Sequence, residues 1–346
     1  MKSKPVTIKD LSKHLFLSIS TVSRALADNK NIRQETRDKV LEAAKVLGYK
    51  PNLTAVNLKS GRTFSIGVIV PEMITPFASQ VLEGIQEILY PKGYRVIVAQ
   101  SDENPETEYK NILLMEQFQV DGIIICLCDQ TLNHDLYLKI QNSGIPLVFY
   151  DRIPKDMDVS QVLVNDYTKS LFMVEHLIET GRKRIVHLKA PPSIYNSVER
   201  LKGYQKALEK HKILYDPSLV IQAGLTFEDG MRAAAHLLEN KIEFDSIFAF
   251  TDTLAIGAMN YLREQNITVP QQVAIASFSG TKLSTLVYPQ LTTVEQPLEQ
   301  MGRTAAEIIL KKIANNSVIN ETIILDAAIK IRASSVSCIP EKKEQL

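Results

Sequence analysis

Apolar residues recur every three or four positions through the first fifty residues, then fall into short unbroken runs alternating with helically spaced stretches. The first pattern predicts three short helices. Thr7 precedes IKDLSKHL with Asp10 three residues on, a capping-box spacing, and Leu11 and Leu15 share one face. Phe16-Leu17 makes a short turn. Ser18 is a good N-cap for a second helix that turns Val22 and Leu26 inward. A third helix, Gln34 to Leu47, directs Val40, Ala44 and Leu47 inward and ends at Gly48, a residue suited to a left-handed terminus.

From Phe64 the runs FSIGVIVP, YRVIVAQS and DGIIICLC alternate with ASQVLEGIQEILYPKG and EYKNILLMEQFQV. A second series starts near Val162 and runs through RIVHLKA, LVIQAG, SIFAFT and VAIASFS. Such alternation predicts βαβ units and parallel sheets, hence an α/β body of two doubly wound lobes. Between head and body, PNLTAVNLKSGRT is polar and small, without an apolar face that folds alone, and reads equally as an ordinary linker. The expected divisions are 1–50 for an all-α helix-turn-helix head, 51–63 for a hinge and 64–346 for the body. Within the body one lobe takes about 64–162 and 292–324, the other about 163–291 and 325–340, with LTTVEQP near Leu291 returning the chain to the first.

With Val22 and Leu26 inward, the second helix presents Ile19, Ser20, Thr21, Ser23 and Arg24 outward. Short hydroxyl side chains let a helix approach closely, and an arginine donates two hydrogen bonds to guanine, so this face suits a DNA major groove. Phe16 stands where such turns more often carry glycine, and a basic three-helix protein-binding module fits the spacing too. Charge sharpens the choice. The 346 residues carry a net +1, yet residues 1–62 hold 13 Lys and Arg against 5 Asp and Glu, while the remainder holds 27 against 34. A basic end on an acidic body is the asymmetry expected when one end meets a polyanion.

Several classes are excluded. At 45% apolar residues and with no apolar run near ~18 residues, the chain reads as water-soluble, and no apolar leader of about 7–15 residues follows MKSKPVTIKD, so a cytoplasmic protein is expected. Cys126 and Cys128 alternate on the strand DGIIICLC as small core residues, and Cys338 stands apart. Six scattered histidines form no metal motif, no nucleophile-base set has catalytic spacing, and no GxGxxG or GxxxxGK[ST] follows a strand. No enzyme, cofactor or metal is expected.

Ligands of doubly wound lobes sit at the carboxyl ends of strands, between lobes. The polar residues there are Glu72 and Phe77 after the first strand, Asp151-Arg152 after IPLVFY, Arg200 opening a helix after KAPPSIYNSVE, and Thr251-Asp252 after SIFAF. Asp and Arg suit fork-like bonds to sugar hydroxyls, and Phe77 can cover an apolar face. Each also reads as a helix cap or an interlobe salt bridge, above all Asp252, which directly precedes TLAIGAMNYL.

VTIKDLSKHLFLSISTVSRAL with ETRDKVLEAAKVLGYKPN resembles the head-piece of the lactose/galactose repressor family of bacterial transcription regulators. The likeness continues through SIGVIVPEMITPFASQVLEGIQE, KGYRVIVAQS, VDGIIIC, IPLVFYDR, RLKGYQKAL, FAFTDTLAIGAM and YPQLTTVEQP, nearly the whole chain. It implies a periplasmic-binding-protein-like body, a homodimer, a palindromic DNA operator and a small-molecule effector, a carbohydrate by preference, that switches operator affinity. By the same resemblance Ile19 and Ser20 vary with the operator, Arg24 reads bases, Thr7, Ser18, Thr21 and Ser23 hold phosphates, and Tyr49 and Asn52 touch the DNA backbone. Leu58 falls where the family wedges a leucine into the minor groove, and Arg200 matches its effector-contact arginine. Four departures stand out. Arg33 replaces a Ser or Thr cap, Val56-Asn57 replace a more familiar hinge pair, and Ser279 replaces the acidic residue that grips the effector. Leu225 stands where a stacking aromatic is common, and the chain has no Trp. A purine or phosphorylated corepressor, an activator, and a pure sugar receptor remain alternatives. The tail SSVSCIPEKKEQL has no leucine heptad for tetramerisation.

Overall fold

The computed structural model describes residues 6–49, 62–129, 133–315 and 319–336. Asn52, Val56, Asn57 and Leu58 lie outside the described residues. The chain divides into two compact units, 1–63 and 64–346.

In the first unit, α1 spans Ile8–Leu15, α2 Ile19–Leu26 and α3 Gln34–Val46. Local chemistry sets their starts. Thr7 and Asp10 form the reciprocal capping box, and the Ser18 hydroxyl accepts from the Thr21 N–H. Arg33 precedes α3 without a side-chain cap bond, and Gly48 ends the helix segment at φ +67°. Leu11, Val22, Ala25, Val40 and Ala43 form the core, with Leu15, Leu26, Ala44 and Leu47 packed at its margin. Ala43 rather than Ala44 is thus the buried alanine of α3, because the helix turns its Val40–Ala43 edge most squarely toward α1 and α2.

In the second unit, the first lobe orders its strands β11-β5-β4-β3-β1-β2, all parallel. They are β1 Ser65–Val70, β2 Arg95–Gln100, β3 Gly122–Ile125, β4 Leu147–Tyr150, β5 Ser160–Val164 and β11 Thr322–Leu325. Central strands such as GIII and LVFY are apolar throughout because helices cover both faces, whereas β2 and β11 at the edges are part-exposed along their length. The second lobe orders β12-β10-β9-β8-β6-β7, with only β12 antiparallel among these. Its strands are β6 Ile185–Lys189, β7 Val220–Gln222, β8 Ser246–Ala249, β9 Ala274–Ser279, β10 Thr292–Glu295 and β12 Ala328–Lys330.

The helices of the body are α4 Pro76–Leu89, α5 Pro105–Gln117, α6 His134–Asn142, α7 Asp166–Glu179, α8 Tyr195–Lys210, α9 Phe227–Glu239, α10 Asp252–Glu264, α11 Leu283–Leu286 and α12 Leu298–Asn315. Helices α4 and α12 cross at backbone distance: a β carbon on Gly84 would lie 2.0 Å from the Glu299 carbonyl oxygen, and one on Gly302 2.0 Å from that of Val81. No other residue fits at either position.

Two expectations are corrected here. Thr292–Glu295 pairs with β9, so LTTVEQP does return the chain to the first lobe, but at its end, Gln296-Pro297, and the lobe boundary moves there from 292. Sheet membership depends on distant partners that local spacing does not reveal. Strand β3 ends at Ile125, so Cys126 and Cys128 follow it, still buried, and burial pushes both thiols up, away from reactivity.

Candidate functional site

The head-piece carries the first surface of interest. Ile19, Ser20 and Arg24 are exposed on α2, and Thr21 and Ser23 are half-buried. The Ser18 hydroxyl lies 2.8 Å from those of Ser20 and Thr21, a cluster in which each proton can turn outward. The Arg24 guanidinium makes no hydrogen bond or ion pair with the described residues, so its five donors stay available. Thr7 is exposed with its hydroxyl on Asp10 at 2.7 Å, and Tyr49 leans half-buried on the helical core. Eight of the ten residues expected to meet DNA therefore fall in this unit's described part.

The second surface is a cavity of about 520 Å³ in the body. All eight residues expected at an effector line it: Glu72, Phe77, Asp151, Arg152, Arg200, Thr251, Asp252 and Ser279. Their states differ. Asp252 is buried and spent: its oxygens accept from Ser277 at 2.7 Å, Thr293 at 2.8 Å, and the Thr281 N–H and hydroxyl at 2.7 and 2.9 Å. Burial pushes its carboxyl up while these donors pull it down. The cap of α10 is Thr251, whose hydroxyl accepts from the Leu254 N–H, so Asp252 ties β9, β10 and the following loop together instead of capping. Glu72 is occupied by the N–H and hydroxyl of Thr75.

Both arginines are paired. Arg152 donates to Glu103 at 2.7 and 3.0 Å. Arg200 does not open its helix, which begins at Tyr195 because Ser197 and Asn196 already lie within its first turn; it projects from the second turn. Its Nε meets Asp166 at 2.7 Å, its Nη1 the Phe250 carbonyl at 2.6 Å, and its guanidinium lies 3.7 Å from the Phe278 ring centroid and 4.3 Å from that of Phe250. Burial pushes the Asp166 carboxyl up against the pull of Arg200. Among the described residues these bonds use two of the five guanidinium N–H groups, so Nη2 and the second N–H of Nη1 are left for a further acceptor.

Asp151 holds the centre. It follows β4 at φ +57° and is 7% exposed. Its Oδ1 accepts from Asn196 Nδ2 and Gln296 Nε2, both at 3.2 Å. The carbonyl oxygens of these two amides are buried and unbonded. Turning either amide over would set its oxygen against the carboxylate, so the orientation follows from the network. Asn196 and Gln296, with Glu103, are lining residues that reading strand ends did not find. Asn196 stands four before Arg200, hence on the same helix face. Ser279, at φ +116°, lines the cavity with a hydroxyl unbonded to the described residues. Leu225, Phe227, Ile256, Leu283 and Val287 supply apolar wall. No group of three or more His, Cys, Asp or Glu among the described residues is placed to hold a metal ion, and no described helix is long and apolar enough to cross a membrane.

Residues 7–52 match the family described as bacterial regulatory proteins, lacI family, and residues 63–333 match periplasmic binding proteins and sugar binding domain of LacI family. Catabolite control protein A of Priestia megaterium is 32% identical over 332 residues, 95% of this chain and 99% of that one. The lac repressor dimer bound to operator and the anti-inducer ONPF is similar in structure, with a TM-score of 0.87 at 22% identity over 96% of this chain and 100% of the other. The transcriptional regulator CelR in complex with cellobiose gives 0.73 at 26% identity over 95% and 99%.

Proposed function

The chain belongs to the LacI family of bacterial regulatory proteins, a transcriptional regulator and not an enzyme, and from that premise we propose that it is a cytoplasmic repressor released or tightened by an uncharged carbohydrate. As a homodimer it sets two copies of α2 on a palindromic operator, half-sites about one helical turn apart. Ile19, Ser20 and Arg24 meet base edges, and Thr7, Ser18, Thr21, Ser23, Tyr49 and Asn52 meet phosphates, with Leu58 as the minor-groove wedge.

The observation that carries the effector reading is the charge state of the cavity. Both arginines that line it are already paired, while Glu72, Glu103, Asp151, Glu228 and Asp252 line it too. A phosphate would meet negative charge and no free cation. Asp151 and the unbonded oxygens of Asn196 and Gln296 call instead for donors, which vicinal hydroxyls supply, and Ser279 and Arg200 Nη2 accommodate the rest. The apolar wall suits the C–H face of a sugar ring. The CelR–cellobiose complex supports the same ligand class.

Calorimetry of the full chain against neutral mono- and oligosaccharides, purines and phosphorylated sugars tests this. Binding confined to neutral sugars is expected; binding only to purines or to phosphorylated sugars overturns it. Because coupling is reciprocal, operator DNA must change the sugar's affinity by the factor by which the sugar changes the operator's.

A further inference from the structure

Phe16 is 95% exposed, the highest value among the exposed large apolar residues. It sits in the turn between α1 and α2 at φ +54°, a conformation that glycine adopts freely and a bulky side chain does not. Its ring is absent from the cluster that packs the head-piece. An unfavourable backbone and an unfavourable exposure thus coincide, with no packing among the unit's described residues to offset either.

The mount is nonetheless firm. Phe16 N–H donates to the Lys13 carbonyl at 3.4 Å, Leu17 N–H to that of Ser12 at 3.1 Å, and the Ser12 hydroxyl to the Leu17 carbonyl at 2.6 Å. Two residues later comes the Ser18 cap, and three later Ile19, 45% exposed. Phe16 and Ile19 therefore bracket the Ser18 cap in sequence, both exposed where α2 begins. When a recognition helix places its N-terminal residues on base edges, the turn before it stands at the lip of the major groove. The apolar group that DNA offers there is the 5-methyl of thymine. Lys13 and His14, in the last turn of α1, favour a polyanion over a protein at this corner.

We propose that Phe16 is a further specificity residue, packing on a thymine methyl beside the bases met by Ile19 and Ser20. This rests on the operator-binding reading above. The test takes an operator selected from random duplexes by the full chain, then replaces each thymine in turn by deoxyuracil, which removes only the methyl. At one position per half-site, deoxyuracil is expected to weaken the wild type about fourfold, the worth of one buried methyl, and to leave F16G unchanged. F16G and F16N, both at ease in the left-handed region, are expected to melt no lower than the wild type while binding the thymine operator about fourfold less tightly. Phe16 variants equal to the wild type on every operator, or a loss of the same size at all thymines, overturn the contact. R24A separates the two readings. If R24A loses selectivity while Phe16 variants match the wild type, this inference alone falls; if the wild type selects no sequence, the operator reading falls with it.

Discussion

At the start of α2 three hydroxyls bond one another in the open, within 2.8 Å and ready to exchange partners. In the cleft the carboxylates of Asp151 and Asp252 are 7% and 1% exposed and already hold two and four donors. Among the described residues the head-piece leaves its cation Arg24 unpaired, whereas the cleft pairs both of its arginines. One surface leaves its donors open to a polyanion; on the reading proposed above, the other takes a small uncharged ligand that must satisfy fixed acceptors. Mobility of polar groups suits reading many sequences; commitment suits recognising one shape.

Salt gives the widest separation. Raising it from 50 to 200 mM is expected to weaken operator binding roughly a thousandfold, through counterion release from several phosphates. Sugar affinity in the same buffers is expected to stay within about twofold; an equal fall in both would erase the distinction. Acid acts on the body. His187 is fully buried between Tyr204 and Phe248, its Nδ1 on the Phe248 carbonyl, and burial holds its pKa down at about 4. The unfolded imidazole takes its proton near about 6.5. Between those values the unfolded chain binds more protons, so stability present above about pH 6.5 is lost as pH falls through 4, by about 3 kcal/mol. Denaturant titrations of wild type and His187→Phe are expected to diverge by that amount across this range, since Asp166, its carboxyl pushed up by burial, titrates in both and only the wild type adds the His187 loss.

Substitutions work on single points. Arg24→Ala is expected to cost about fiftyfold in operator over competitor DNA, the scale of one bidentate base contact, with sugar binding unchanged by calorimetry. The smallest effect is assigned to Asp151→Asn, which keeps the left-handed backbone that asparagine tolerates. It is expected to lower sugar affinity about tenfold, with the salt slope of DNA binding untouched. A sugar affinity that survives Asp151→Asn would mean the cleft's centre lies elsewhere.

The helical caps were legible because the bonds that form them span three residues: Thr7 with Asp10, Ser18 with Thr21. Strand ends likewise led to seven of the residues that line the cavity, and the family resemblance to Ser279, since doubly wound lobes place their loops in one cleft. What escaped depends on long-range pairing. That Thr292–Glu295 adds to the second sheet is decided by Ala276–Ser279, and that Asp252 serves as a tie is decided by Ser277, Thr281 and Thr293, 25 to 41 positions away. Gln296 was hidden in a crossing between lobes, although a polar residue just before a proline at such a crossing is a usable sign. The state of the arginines was illegible, because Glu103 and Asp166 lie 49 and 34 positions from their partners.

The chain passes between the lobes three times, at Asn165, at Gln296-Pro297 and at Asp326-Ala327, and Lys169 joins the first passage to the third through Asp326 at 2.6 Å. Two bodies tied by one strand tumble; tied by three they keep essentially one soft coordinate. Gln296 belongs to a tie and also touches Asp151. A ligand that captures Asp151 therefore does its work on the fulcrum rather than on the tips of the levers, where a small displacement is multiplied by the length of each lobe.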